Sequence, residues 1–220
     1  VLVLSLLMVS ACSQDNTVEV AKQLGIKVIV HEKNKGYGGN QKTCYREALK
    51  SGADIAIMIH PDHQYNPKLV PQMLKPLIDE ECDAVFGSRM IYKKDALAGG
   101  MPKWKFAANI FLTSLENILL GTKLAEYHSG FRAYSKKALE TLPLEENSDN
   151  FVFDTEIIVQ LVANDFKIKE IPINTKYFKD ASNVGLKQGM KYGTDILRTM
   201  GKYKLHQWGI KKRSQFKKVT

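Results

Sequence analysis

The segment Ile55-Ala56-Ile57-Met58-Ile59-His60-Pro61-Asp62-His63-Gln64-Tyr65-Asn66-Pro67 changes character abruptly in its middle. Its first five residues have the length and β-branched content of a buried strand. Immediately after them stand one carboxylate, two imidazoles and an amide, with Pro61 and Pro67 preventing the strand from continuing. In open α/β sheets, ligands bind just beyond the carboxyl ends of the strands. Metal-ligand chemistry at such a place indicates a site. Magnesium is held by one or two protein carboxylates, with water and substrate phosphates completing the shell. Asp62 and the Gln64 amide oxygen therefore suffice for a metal if the substrate brings a diphosphate. His60 is a third candidate ligand, and an imidazole would shift preference from Mg²⁺ towards Mn²⁺. A histidine is as readily structural, and His63 reads as a surface residue.

Outward from this segment, the first two-thirds of the chain alternate strand and helix. Val1–Val9, Lys27–His31, Ile55–Ile59 and Ala84–Gly87 read as strands. Asn16–Leu24, with Asp15 as N-cap, reads as a helix, as do Asn40–Ser51 and Lys68–Ile78. Such alternation predicts a mostly parallel sheet flanked by helices, joined by right-handed crossovers. Beyond Met101 the expected elements are a long amphipathic helix Trp104–Leu120, a polar extended segment Glu126–Ser135, a helix Phe153–Asn164 and a strand Lys169–Asn174. At 220 residues this is one domain.

The net charge of +9 is unevenly placed. Eight basic residues and no acid follow Asp195, whereas the preceding part carries 24 basic against 23 acidic residues. A basic stripe through the body would point to nucleic acid; a neutral body does not. A domain over 1–200 with a basic tail over 201–220 suggests contact with an anionic membrane surface, the alternative being a solvated end. Cys12, Cys44 and Cys82 show no paired spacing and suit a reducing cytoplasm. A cytoplasmic location with peripheral attachment at the membrane face is the corresponding expectation. Val1–Cys12 has the look of a lipoprotein signal, but no basic segment precedes it, and a buried strand is expected instead.

Gly36-Tyr37-Gly38-Gly39-Asn40-Gln41-Lys42-Thr43 lies between a strand and a helix, where backbone amides favour phosphate. It differs from the P-loop pattern only at Gln41, which leaves a P-loop hydrolase or kinase open. A plain strand–helix turn is the simpler reading. Gly87-Ser88-Arg89 and Ser129-Gly130-Phe131-Arg132 each offer a hydroxyl and a guanidinium suited to phosphate. Phe153-Asp154-Thr155-Glu156 places two carboxylates at a helix start, where capping alone could explain both.

Taken in order, these segments resemble family-2 glycosyltransferases of the GT-A fold, in particular the dolichyl-phosphate mannosyltransferase-like branch. The similarity runs from about Val9 to Tyr192. Ser13-Gln14-Asp15-Asn16-Thr17 resembles the end of the family's first acidic segment, and His60–Gln64 stands at its metal motif. The resemblance implies inverting transfer of a sugar from a nucleotide-sugar donor to an acceptor, a polyprenyl phosphate or a sugar, assisted by Mg²⁺ or Mn²⁺. It implies metal ligands Asp62, Gln64 and His60. It also implies donor contacts at Asp15, Gly36, Gly38, Gly39, Asn40, Ser88 and Ser129. Arg89 and Arg132 would hold phosphate, and Asp154, then Glu156, would serve as base for a hydroxyl acceptor. Two departures stand against this: the family's opening strand and loop precede the point where this sequence starts, and Ser10 and Ala11 replace its paired aspartates. They leave an inactive or fragmentary paralogue acting as a binding module as an alternative.

Overall fold

The computed structural model describes residues 7–10, 16–60, 64–175, 177 and 185–219, with the backbone alone at 8–10, 186 and 187. Strand β1 (Leu7–Ser10) pairs in parallel with β2 (Lys27–Val30), and helix α1 (Thr17–Gln23) connects them. Helix α2 (Gly36–Lys50) leads to β3 (Ile55–Met58), followed by α3 (Val70–Ile78) and β4 (Ala84–Ser88). Two helices come next, α4 (Lys93–Ala98) and α5 (Lys103–Leu120), and then β5 (Arg132–Ser135), α6 (Lys136–Thr141), α7 (Phe153–Ala163), β6 (Ile168–Pro172) and α8 (Leu186–Gln207).

The second sheet has the order β3-β5-β4-β6. Strand β6 runs parallel to β4, but β5 is antiparallel to both neighbours, with Arg132 opposite Met58 on one side and Phe86 on the other. The expected α/β architecture is present, and its sheet is mixed: a strand reached through the long α5 enters between β3 and β4 from the opposite end. Alternation along the strands divides the core in two. Ala84, Phe86 and Tyr134 face the larger cluster, with Tyr45 of α2, Phe153, Ile157 and Leu161 of α7, and Ile196 and Met200 of α8. Val85 and Ala133 face Met73 and Leu77 of α3.

Three expectations change. The glycine segment is the first turn of α2, so the helix starts at Gly36 and not near Asn40. Gly36 has φ +78°, and a Cβ on Gly38 would stand 2.2 Å from the Ser148 carbonyl oxygen. These glycines admit close approach of the 148–149 backbone. The short helices α4 and α6 fall where no element was expected. Finally, α8 crosses the expected boundary at residue 200, and the chain after it folds back. Phe216 is buried against Tyr203 (ring centroids 5.4 Å apart) and His206, and Gln215 is buried beside Asn147, to whose Oδ1 it donates at 2.9 Å. Residues 201–219 are thus anchored to the domain and do not form a solvated end. No helix among the described residues is long and apolar enough to cross a membrane.

Removing that anchor tests the assignment. Phe216→Ala empties a fully buried aromatic site and is expected to lower the unfolding free energy by about 3–5 kcal/mol, measured by urea denaturation; a change below about 0.5 kcal/mol is what a solvated tail would give.

Candidate active site

The carboxyl end of β3 delivers His60 into an aromatic cluster. Its ring lies over Tyr37 (5.8 Å), and Tyr37 stacks in turn on Phe151 (4.9 Å). Tyr65 completes the group at 6.1 Å from His60 and accepts a hydrogen bond from the Gly130 amide (2.9 Å). A Cβ on Gly130 would come within 2.4 Å of His60 Nε2, so that nitrogen packs directly on the Ser129-Gly130 backbone and lies 3.5 Å from the Tyr37 hydroxyl. In this arrangement His60 Nε2 braces the strand end against the Ser129-Gly130 backbone. Asp62 and Asp15 lie outside the described residues. Gln64 is described, partly buried, just beyond Asp62. Among the described residues no three His, Cys, Asp or Glu side chains converge as a metal centre. The donor set available at 62 and 64 is oxygen only, which fits a hard divalent cation whose remaining ligands come from substrate and water.

Arg132 is a buried structural cation rather than a phosphate ligand. Its Nε donates to Ser129 O (2.8 Å), Nη1 to Asp154 O (2.9 Å) and Nη2 to Tyr127 O (2.6 Å). The guanidinium lies 5.0 Å from the Phe86 ring centre, and Nη2 is 3.7 Å from Asp154 Oδ2. Burial works against its charge, but the Asp154 carboxylate outweighs it and keeps the guanidinium firmly protonated. Asp154 is itself engaged: Oδ2 accepts from the Tyr37 hydroxyl (2.9 Å) and Oδ1 from Gln41 Nε2 (2.9 Å). Gln41 Oε1 accepts from Tyr45 (2.7 Å). Burial first, and the neighbouring Asp154 second, push the Tyr37 hydroxyl well above its ordinary pKa. Asp154 is therefore a counter-ion within a network and not a free base. Glu156 is also buried and accepts from the Ser148 amide (2.6 Å).

Arg89 is committed in the same way. Its backbone amide donates to Glu126 Oε2 (2.7 Å), its Nε to Oε1 (2.8 Å), and its Nη2 also pairs with Glu126. The other ends reach the Tyr177 hydroxyl (2.7 Å) and His128 O (3.0 Å). Asn109 adds a further donor to Glu126 at 2.8 Å. Burial acts to raise the Glu126 pKa, but Arg89 outweighs it and holds the carboxyl below the usual range. Ser88 and Ser129 are buried, and the Ser129 hydroxyl donates to Gly87 O.

The glycine segment does not form a phosphate cradle. Gly36 N donates to Asn34 Oδ1 (2.8 Å), and the Gly38 and Gly39 amides both point at Asp149 O (2.8 and 3.4 Å). Lys42 donates to Asn147 O (2.5 Å) and Asp149 Oδ1 (2.8 Å). Amides and lysine that would serve a P-loop are used to hold the 147–149 segment, which removes the hydrolase or kinase reading. Gly36, Gly38, Gly39 and the helix turn carrying Asn40 are thereby structural. Sequence reasoning missed Glu126, Tyr37 and the positive role of Gln41; the signal for Gln41 was its spacing of four from Tyr45 on one helix face.

The family model for glycosyl transferase family 2 matches residues 3–142. The chain belongs to that family. It is a glycosyltransferase with the GT-A fold. It is 33% identical over 165 residues to an uncharacterized protein of Methanocaldococcus jannaschii, covering 75% of this chain and 67% of the relative. It is 30% identical over 190 residues to a UDP-N-acetylglucosamine–dolichyl-phosphate N-acetylglucosaminyltransferase of Methanococcus voltae, covering 79% and 75%. Among solved structures, glucosyl-3-phosphoglycerate synthase from Mycobacterium tuberculosis, in complex with Mn²⁺, UDP and phosphoglyceric acid, superposes with TM-score 0.65 at 17% identity. That match covers 90% of this chain and 67% of the neighbour.

Two measurements check these assignments. Asp154→Ala strands the buried Arg132 charge and is expected to cost about 3–5 kcal/mol of stability in urea titration; a solvent-facing base would leave stability within about 0.5 kcal/mol. The Arg89–Glu126 pair contributes stability above the ordinary glutamate pKa of about 4.3, and loses it as pH falls through the lower native value. Glu126→Gln should therefore reduce stability at neutral pH, with the gap to wild type closing only below that value in acid titrations of urea midpoints.

Proposed function

We propose that the glycosyltransferase moves a sugar from a UDP-sugar to the phosphate oxygen of a polyprenyl phosphate, with inversion at the anomeric carbon. One observation carries the acceptor class. Asp154 and Glu156, the two carboxylates suited to act as base, are both buried and hydrogen-bonded within the protein. A hydroxyl acceptor needs a base. A phosphate acceptor arrives with an anionic oxygen that is already nucleophilic. That oxygen attacks the anomeric carbon, the bond from that carbon to the UDP oxygen breaks, and UDP leaves with the electron pair. The dolichyl-phosphate transferase from Methanococcus voltae supports the acceptor class, and the Mn²⁺ and UDP in the mycobacterial complex support the donor and a divalent cation.

Asp62 and Gln64 would hold the cation, which when bound neutralises charge developing on the diphosphate. The other residues act by positioning. His60, packed on Gly130 and Tyr37, fixes where the 62–64 segment leaves the sheet. Phe151, 38% exposed at the outer end of the Tyr37 stack, offers an apolar wall to a substrate ring.

Calorimetric titration with UDP should give binding that requires Mn²⁺ or Mg²⁺ and falls by about 100-fold or more in Asp62→Ala, in line with the loss of a charge-stabilising metal contact. Equal affinity of wild type and variant, or binding unaffected by chelator, would refute the assignment of the metal to Asp62.

A further inference from the structure

Helix α5 carries a polar stripe within its inner face, flanked by Phe106, Ile110, Leu112, Leu119 and Leu120, which pack on the core. Its buried residues include Asn109, Thr113 and Glu116. Asn109 donates to Glu126, Thr113 donates to Asn109 Oδ1 (3.2 Å), and Glu116 Oε2 lies 3.2 Å from His128 Nε2. On the outer side stand Trp104, Phe111 and Ile118, exposed by 44%, 65% and 77%. Residues seven apart lie almost on one line of a helix, here about 21 Å long. Single exposed apolar residues need no explanation, but three in line along the outer face of a helix form an apolar strip of their own. Leu97 on α4, which packs beside α5, is also exposed.

Along α5 and its flanking turns the charge has one sign, while α4 beside it carries the exposed Asp95 together with Lys93 and Lys94. Between Gly99 and Ala125 the sequence contains Lys103, Lys105 and Lys123, and the only acid is Glu116, which is buried. Lys103 and Lys123, at the two ends of α5, are exposed. A second copy meeting this face symmetrically would bring lysines against lysines. An anionic bilayer complements both features: apolar side chains enter the acyl boundary while lysines meet the headgroups.

We infer that the outer face of α5 seats the protein on an anionic lipid surface. The inference rests on the lipid-phosphate reading above only for its purpose. The inner face of the same helix reaches the Arg89–Glu126 pair through Asn109, so a membrane-seated α5 holds the site at a fixed height over the lipid. This adds α5 as an attachment face besides the basic C-terminal segment.

The test is co-sedimentation of the full chain with phosphatidylcholine vesicles, with and without phosphatidylglycerol. Wild type should bind the anionic vesicles, and Trp104→Ser/Phe111→Ser/Ile118→Ser should bind about tenfold or more weakly with an unchanged circular dichroism spectrum. Lys103→Glu/Lys123→Glu should lose the preference for anionic over neutral vesicles and provides the test should the triple variant fail to fold. Equal binding by wild type and variants overturns the inference. So does a lipid-free dimer that the triple substitution dissociates, since a second copy would then cover the face. Transfer to a short-chain, water-soluble polyprenyl phosphate should be the same in wild type and triple variant. Transfer by the wild type without vesicle binding defeats this inference alone, and vesicle binding by the wild type without transfer defeats the functional reading alone.

Discussion

The Arg132–Asp154 contact is the interaction on which the site depends. A guanidinium buried at the start of β5 would cost several kcal/mol if left unpaired. Its donors go instead to Ser129 O, Tyr127 O and the backbone of Asp154, while the Asp154 carboxylate sits near its charge. These bonds fix two things at once. They hold the Ser129-Gly130 backbone against His60, and they lock the first turn of α7 to the middle of the sheet. Through Gln41 and Tyr37, the same carboxylate reaches α2. Three sequence-distant segments are thus tied to one buried charge.

A second buried pair, Arg89–Glu126, does the same work at the end of β4, with α5 recruited through Asn109. The two pairs form a rigid polar floor beneath the strand ends. Such networks stabilise when every member is satisfied and cost stability when one is lost. The floor explains how so many charged residues can lie at the strand ends with their partners inside the protein.

Much of this fold was legible in the sequence. Apolar runs at Ile55–Ile59 and Ala84–Gly87, and helical periodicity at Trp104–Leu120 and Phe153–Asn164, correspond to β3, β4, α5 and α7 because each buries a continuous face. The six-residue helices α4 and α6 were not legible, being too short to show a period. The start of α2 was hidden by its glycines, which normally weaken helices and here serve close contact with residues 148–149. The direction of β5 is a property of its connection and is not written in its composition. The site was legible as a list of residues but not as roles. Arg89, Arg132, Ser88 and Ser129 carry the chemistry of phosphate recognition, yet their partners Glu126 and Asp154 lie far along the chain, and local sequence does not reveal that such a charge is already answered. For α5, periodicity announced an amphipathic helix without showing that buried polar residues share its inner face or that an apolar line runs along its outer one.

The most direct test of the account is transfer of radiolabelled sugar from a UDP-sugar to a polyprenyl phosphate, followed by extraction into organic solvent and repeated with chelator. The account predicts label in the organic phase that requires Mn²⁺ or Mg²⁺, while a free sugar acceptor with only hydroxyl groups stays unlabelled. Label transferred to the hydroxyl acceptor, with none on the lipid phosphate, would contradict it.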